Sequence, residues 1–260
     1  MIQMMNAAIC VVPVSPMRSV PSHRSEMVSQ LLFGDQCEVM ETAPDNWVRV
    51  KSTYDEYEGW CQSGQLKTIA ELYSKPVAVT KDWETIVSLN GTPMHIPMGC
   101  SIPGLTGNQA QWGDITVNCD KAALFDPAVA ETDEPFIRQI AFNFLNTTYL
   151  WGGRSVFGVD CSGFCQLVYK FLNIPLMRDA YQQATQGEVV GFLQEAKCGD
   201  LAFFDNAEGR ITHVGILLND AEIIHSSVKV RVDRIDNMGI INTDTRERTH
   251  KLRIIKRIIA

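Results

Sequence analysis

The segment Asp160-Cys161-Ser162-Gly163-Phe164 is the part of this 260-residue sequence best suited to covalent chemistry. Apolar residues follow at helical spacing (Phe164, Cys165, Leu167, Val168, Phe171 and Leu172), so the pattern predicts a helix over Cys161–Leu172 that ends before Pro175. Asp160 is a good N-cap type and places Cys161 in the first turn. A thiol there meets unsatisfied amide N–H groups and the positive end of the helix dipole, which is expected to lower its pKa and supply a thiolate. Isolated cysteines are mostly small buried hydrophobes, the reading taken for Cys165 on the apolar face. The polar cap and the first-turn position set Cys161 apart from that background. Gly152, Gly153 and Gly158 let the preceding loop approach the helix start closely.

A nucleophilic cysteine needs a base, and the base needs an orienting partner. His213 begins the apolar run His213–Leu218, and Gly215 leaves room over the same face. His225 lies in the next run, Glu222–His225, and Asn219-Asp220 between them suits a hairpin. Such a hairpin brings the two imidazoles side by side, where one can fix the tautomer of the other. His23, His95 and His250 have no such company and are read as structural or surface residues.

The elements around these residues change character along the chain. Residues 1–65 carry short alternating runs such as Cys37–Met40 and Trp47–Val50, broken by Gly34-Asp35, Pro44-Asp45-Asn46 and Gly59, which predicts a small barrel or sandwich. Residues 66–125, with runs such as Pro76–Thr80 and Asp114–Val117, suit a second, diverged barrel. From residue 126 the pattern becomes α+β. A helix is predicted over Glu134–Leu145 with Thr132, Asp133 and Pro135 at its start. After the Cys161 helix come strands at Leu201–Phe204, His213–Leu218, Glu222–His225, Val228–Ile235 and Arg253–Ile259.

Formal net charge is -7, and the 23 Lys and Arg are scattered, which argues against a nucleic-acid partner. The eight cysteines form no CxxC pair, so no metal site and no cofactor are expected, and many unpaired thiols favour a reducing compartment. No apolar run reaches membrane-spanning length, and Ala7–Pro13 is read as a strand, not a targeting segment. The expected location is cytoplasmic, with a periplasmic protein that has lost a signal peptide as the alternative.

Five segments in order resemble the NlpC/P60 family of bacterial cell-wall peptidases: Tyr149-Leu150-Trp151-Gly152-Gly153, Asp160-Cys161-Ser162-Gly163-Phe164, Gly199-Asp200-Leu201-Ala202-Phe203-Phe204, His213-Val214-Gly215-Ile216 and His225-Ser226. Gly34-Asp35, Trp47-Val48-Arg49-Val50 and Gly59-Trp60-Cys61 resemble a bacterial SH3-like domain. The resemblance implies an α+β fold, a papain-like catalytic domain over 126–260 preceded by one or two SH3-like barrels. It implies Cys161 as nucleophile, His213 as base and His225 as the orienting residue. Within the family the chain looks like the γ-D-glutamyl-L-diamino acid endopeptidases, which release L-Ala-D-Glu from peptidoglycan stem peptides bearing a free N-terminal L-alanine.

That likeness implies amine recognition by Glu26, Tyr57 and Asp179, with Tyr54 competing with Tyr57, and a dipeptide pocket of Tyr149, Trp151, Asp160 and Ser162. Ala180 stands where the subfamily often has serine, which removes one polar contact. The expected partners are peptidoglycan-derived peptides, and the expected state is a monomer. An amidase or acyltransferase of the same fold, or a non-catalytic wall-binding protein, are the competing classes.

Overall fold

The computed structural model describes residues 6–74 and 78–259, so Pro76 and Val77 of the Pro76–Thr80 run lie outside the described residues. Two compact units divide the chain: residues 1–130 with 151–156, and residues 131–150 with 157–260.

The first unit is all-β. Strands β1 (Asn6–Cys10), β2 (Val14–Arg18), β3 (Met27–Leu32), β4 (Gln36–Ala43), β5 (Trp47–Ser52), β6 (Glu58–Gln62) and β7 (Leu66–Thr68) form one antiparallel sheet in the order β3-β2-β6-β5-β4-β1-β7. Alternation makes the core: Val48 and Val50 turn inward with Ala8, Cys10, Met17, Leu31, Cys37 and Cys61, and Arg49 and Lys51 point outward. The turn between β4 and β5 places Asp45 and Asn46 at φ of 59° and 60°, the left-handed region these residue types tolerate best among non-glycines. Because β7 pairs with β1, Ala8 opposite Thr68, this sheet runs past residue 65.

A second sheet in the same unit has the order β10-β9-β12-β11, from β9 (Glu84–Leu89), β10 (Thr92–Pro97), β11 (Gln109–Trp112) and β12 (Ile115–Asn118). A short pair joins β8 (Val79–Thr80) to β13 (Leu124–Phe125). The two sheets approach closely at Gly34, at φ 79°, where an added Cβ would lie 1.7 Å from the Ser101 carbonyl oxygen. Strand β14 (Arg154–Ser155) also belongs here, with the Arg154 amide donating to Gln30 Oε1 at 2.7 Å.

The second unit holds three α-helices among the described residues: α1 (Glu134–Phe142), α2 (Cys161–Phe171) and α3 (Ala180–Gln183). Asp133 caps α1 by accepting from the Phe136 amide at 3.0 Å. The helix stops at Phe142, three residues short of the expected end, and passes into turns. Every residue of α2 is buried, which explains why an eleven-residue helix too short to be stable alone is held in place. Beside β15 (Gly158–Val159), the unit contains β16 (Glu188–Val190), β17 (Leu201–Asp205), β18 (Ile211–Leu217), β19 (Glu222–Ser227), β20 (Lys229–Asp236), β21 (Gly239–Ile241) and β22 (Arg248–Arg257).

Strands β16 to β22 form one antiparallel sheet in the order β16-β22-β17-β18-β19-β20-β21. Strand β22 pairs with β21 as well as with β17, so six strands close on themselves around Ala202, Phe204, Leu217, Ile223, Ile235, Ile240 and Ile255. Each such side chain of leucine or isoleucine size contributes about 1.5–3 kcal/mol of transfer free energy. Helix α2 packs against β18 and β19, bringing the start of one element to the strands that carry the histidines. Among the described residues no helix is long and apolar enough to cross a membrane.

Candidate active site

Asp160 starts α2 as the sequence predicts, its Oδ1 accepting from the Gly163 amide at 2.7 Å, so Cys161 is the first helical residue. The same carboxylate has a second task. Arg178, 1% exposed, donates to Asp160 Oδ1 at 3.0 Å and Oδ2 at 2.6 Å and to Ser162 Oγ at 2.9 Å. This two-pronged geometry suits a planar guanidinium, and it locks the helix start from the loop that leads into α3.

The Cys161 side chain does not behave as the helix position alone predicts. Cys161 is 7% exposed, and burial pushes its pKa up to about 12, with the Asp160 charge adding to the rise. Backbone hydrogen bonds at Val214 and Ser162 and the Arg178 charge oppose this without overcoming it. Desolvation outweighs the dipole, so the resting thiol is neutral and becomes a thiolate only by giving its proton to a nearby base. Tyr149 is half-buried. Burial, followed by Cys161 and Asp160, raises its pKa well above the usual phenol range, so its O–H remains a donor at neutral pH.

The base comes from β18. His213 Nε2 lies 2.8 Å from His225 Nδ1 on β19, with the rings edge to face at 84°. The hairpin that pairs them turns through Asn219, whose Oδ1 accepts from the Ala221 amide at 2.8 Å. Gly215 makes the room: a Cβ there would lie 2.8 Å from His225 Cβ. Val214, next to His213, is the residue whose backbone bonds the Cys161 sulfur, so α2 and β18 meet at nucleophile and base.

Three residues escaped the sequence reading. Asp233 on β20 sits diagonally across from His225, 3.0 Å from its Nε2. His250, expected to be structural or surface, stacks on His213 with ring centroids 4.1 Å apart and planes 25° apart. It was hidden because β22 begins at Arg248, five residues before the expected start, in a polar stretch whose only signal is the alternation His250, Leu252, Ile254. Arg178 lies in a loop without periodicity, and nothing in its sequence neighbourhood points to Asp160.

The remaining expected residues are placed as follows. Ser162 is buried against Arg178, and Asp179 is the N-cap of α3, with its amide donating to Gln182 Oε1 at 3.0 Å. Glu26, Tyr57 and Trp151 belong to the first unit, where Trp151 Nε1 donates to Glu26 Oε1 at 2.6 Å. Tyr57 packs against the first barrel core, and the Tyr54 ring faces the Arg154 guanidinium at 5.4 Å.

The three clustered imidazoles carry a prediction. Burial depresses all three: His213 well below 6.5, His225 below 6.5, and His250 to about 4. Below pH 6.5 the unfolded chain takes up protons that the fold refuses, so stability falls as pH drops from about 6.5 towards 4. Thermal melting across that window should show Tm falling with pH, and less steeply in His250→Gln. A Tm that rises on acidification contradicts neutral buried rings.

Residues 146–249 match the NlpC/P60 family, and residues 17–66 match the bacterial dipeptidyl-peptidase SH3 domain. The chain is 32% identical over 215 residues to the γ-D-glutamyl-L-lysine dipeptidyl-peptidase of Bacillus subtilis (strain 168), covering 76% of this chain and 71% of that one. It is 23% identical to dipeptidyl-peptidase 6 of Lysinibacillus sphaericus, over 88% of this chain and 92% of that one. The fold matches the crystal structure of an NlpC/P60 family protein from Bacillus cereus ATCC 10987, with a TM-score of 0.81 and 18% identity over 98% of this chain and all of that one. A cysteine at a capped helix start, backed by paired histidines on an antiparallel sheet, thus defines a cysteine peptidase. The chain belongs to the NlpC/P60 family, with SH3-like β structure preceding the catalytic domain.

Proposed function

We propose that this peptidase hydrolyses the bond between γ-linked D-glutamate and a diamino acid, L-lysine or meso-diaminopimelate, in peptidoglycan stem peptides with a free N-terminal L-alanine. The product is L-Ala-D-Glu. The observation that carries the reading is the 2.8 Å contact between His213 and His225, beside a capped, buried thiol, in a chain similar to two proteins named γ-D-glutamyl-L-lysine dipeptidyl-peptidase.

In this mechanism His213 removes the Cys161 proton as the sulfur attacks the γ-glutamyl carbonyl carbon. The tetrahedral oxyanion is held by the Cys161 backbone N–H and the Tyr149 hydroxyl. His213 then gives its proton to the leaving amine of the diamino acid, and the C–N bond breaks. A water, deprotonated by His213, attacks the thioester and releases the dipeptide and the thiol. Asp160, Ser162 and Trp151 complete the substrate set of the proposal.

Glu26 with Tyr57, and Asp179, are proposed to recognise the free ammonium. What supports this is charge: Glu26 is exposed and Asp179 partly buried, and a carboxylate pairs with an ammonium but not with a neutral acylated nitrogen. Turnover of wall fragments inside the cell by a monomer fits such a requirement.

Mass spectrometry of products from L-Ala-γ-D-Glu-L-Lys and its diaminopimelate analogue tests bond and requirement together. The expected result is L-Ala-D-Glu from both free peptides and little or none from the N-acetylated forms. Equal cleavage of acetylated peptides removes the ammonium-recognition role, and cleavage at another bond removes the proposed specificity.

A further inference from the structure

Asp233 stands on the side of His225 away from His213, with its side chain 2% exposed. Its Oδ2 lies 3.0 Å from His225 Nε2, and its Oδ1 accepts from the Thr243 amide at 2.8 Å and from Arg231 at 2.9 Å. The charged and polar groups around it are Arg231 on its own strand, Asn242 and Asp244 from the loop after β21, His225 on β19 and His250 on β22. Arg231 bridges to Asp244 at 2.9 Å and to Asn242 at 3.2 Å, so the carboxylate is fixed from behind. Burial alone would raise the Asp233 pKa, but the hydrogen bonds from His225, the Thr243 amide and Arg231 outweigh it and hold the group well below the usual carboxylate range.

Proton positions follow from counting donors and acceptors. An ionised carboxylate only accepts, so His225 Nε2 must carry a hydrogen. His225 is neutral, so its Nδ1 then holds the lone pair. That lone pair faces His213 Nε2 at 2.8 Å, so the hydrogen of neutral His213 sits on Nε2, and its Nδ1 is left free to accept a proton. We infer that Asp233 is a positioning residue for the hydrolysis: acting through His225, it sets the tautomer of His213 and thereby makes Nδ1 the basic nitrogen presented to the Cys161 thiol. The inference rests on the reading of His213 as the base.

Asp233→Asn separates this role from simple support. The asparagine oxygen keeps the Thr243 and Arg231 partners and turns its NH2 towards His225 Nε2. His225 is then protonated on Nδ1 and His213 on Nδ1, which blocks the base. The expected result is a kcat lowered by about 10²–10⁴-fold with KM changed only a few-fold, by analogy with tautomer inversion in other triads. Asp233→Ala leaves both tautomers open and should lose less. A purely structural role predicts the reverse order, because asparagine preserves shape and contacts that alanine deletes.

A second readout needs no turnover. The ¹⁵N shifts of ring-labelled histidines should place the His213 proton on Nε2 in the wild-type enzyme and on Nδ1 in Asp233→Asn. Greater damage from alanine than from asparagine, or an unmoved proton, overturns the relay while His213 keeps its catalytic role. Full activity in His213→Ala overturns the catalytic reading and the relay with it. Should Asp233→Asn fail to fold, the wild-type spectrum alone decides, since a His213 proton found on Nδ1 excludes the relay.

Discussion

Cys161→Ala should abolish release of L-Ala-D-Glu from the free tripeptide while leaving the fold intact. Removing a nucleophile from a triad costs on the order of 10⁶-fold in kcat. His213→Ala should cost nearly as much, because the Cys161 thiol, with its pKa at about 12, has almost no thiolate of its own at neutral pH. The double variant should be little worse than either single one, since nucleophile and base act as a unit. Product release measured by mass spectrometry, with thermal melting as the control for folding, checks all three. Turnover by Cys161→Ala above about a hundredth of the wild-type rate is incompatible with covalent catalysis at this residue.

The burial that raises the thiol also sets the acid limb of the pH profile. His213 is held well below pH 6.5, so the base stays neutral through the mildly acid range. Activity is therefore expected to persist below pH 6.5, where an ordinary exposed histidine would already be protonated.

The second large effect concerns stability. Arg178→Ala should lower the free energy of unfolding by about 3–5 kcal/mol, because it leaves the Asp160 carboxylate buried without its bidentate partner. Arg178→Lys restores the charge but not the planar fork, so only part of the loss returns. Denaturant titration reads the difference as a shift in midpoint at unchanged slope. A loss below 1 kcal/mol in Arg178→Ala means that water replaces the guanidinium at the helix start. Activity should fall as well, since Asp160 both caps α2 and binds Arg178, so the first turn that carries Cys161 is loosened.

What was legible in the sequence was local. Cys161 behind Asp160 declared itself through capping chemistry, and His213 and His225 through two apolar runs joined by Asn219-Asp220. The α+β order and the N-terminal SH3-like β region followed from periodicity and turn residues. Three things were not local. His250 reaches His213 only because β22 pairs with both β17 and β21 and closes the sheet, which no run of alternating residues announces. Arg178 reaches Asp160 across an 18-residue separation through a loop without periodicity. The thiol pKa depended on burial, a property of the assembled unit, and burial outweighed the dipole that the helix position suggested.

The complete burial of α2 bears on how the chain comes into being. Before folding, its eight cysteines are chemically alike, and Cys161 is one ordinary thiol among them. The nucleophile lies 52 positions before His213 and 64 before His225, and the helix that presents it is stable only against the sheet that carries them. Contacts over such separations close late. A newly made chain of this kind thus gains its nucleophile and its base together, when the helix docks on the sheet.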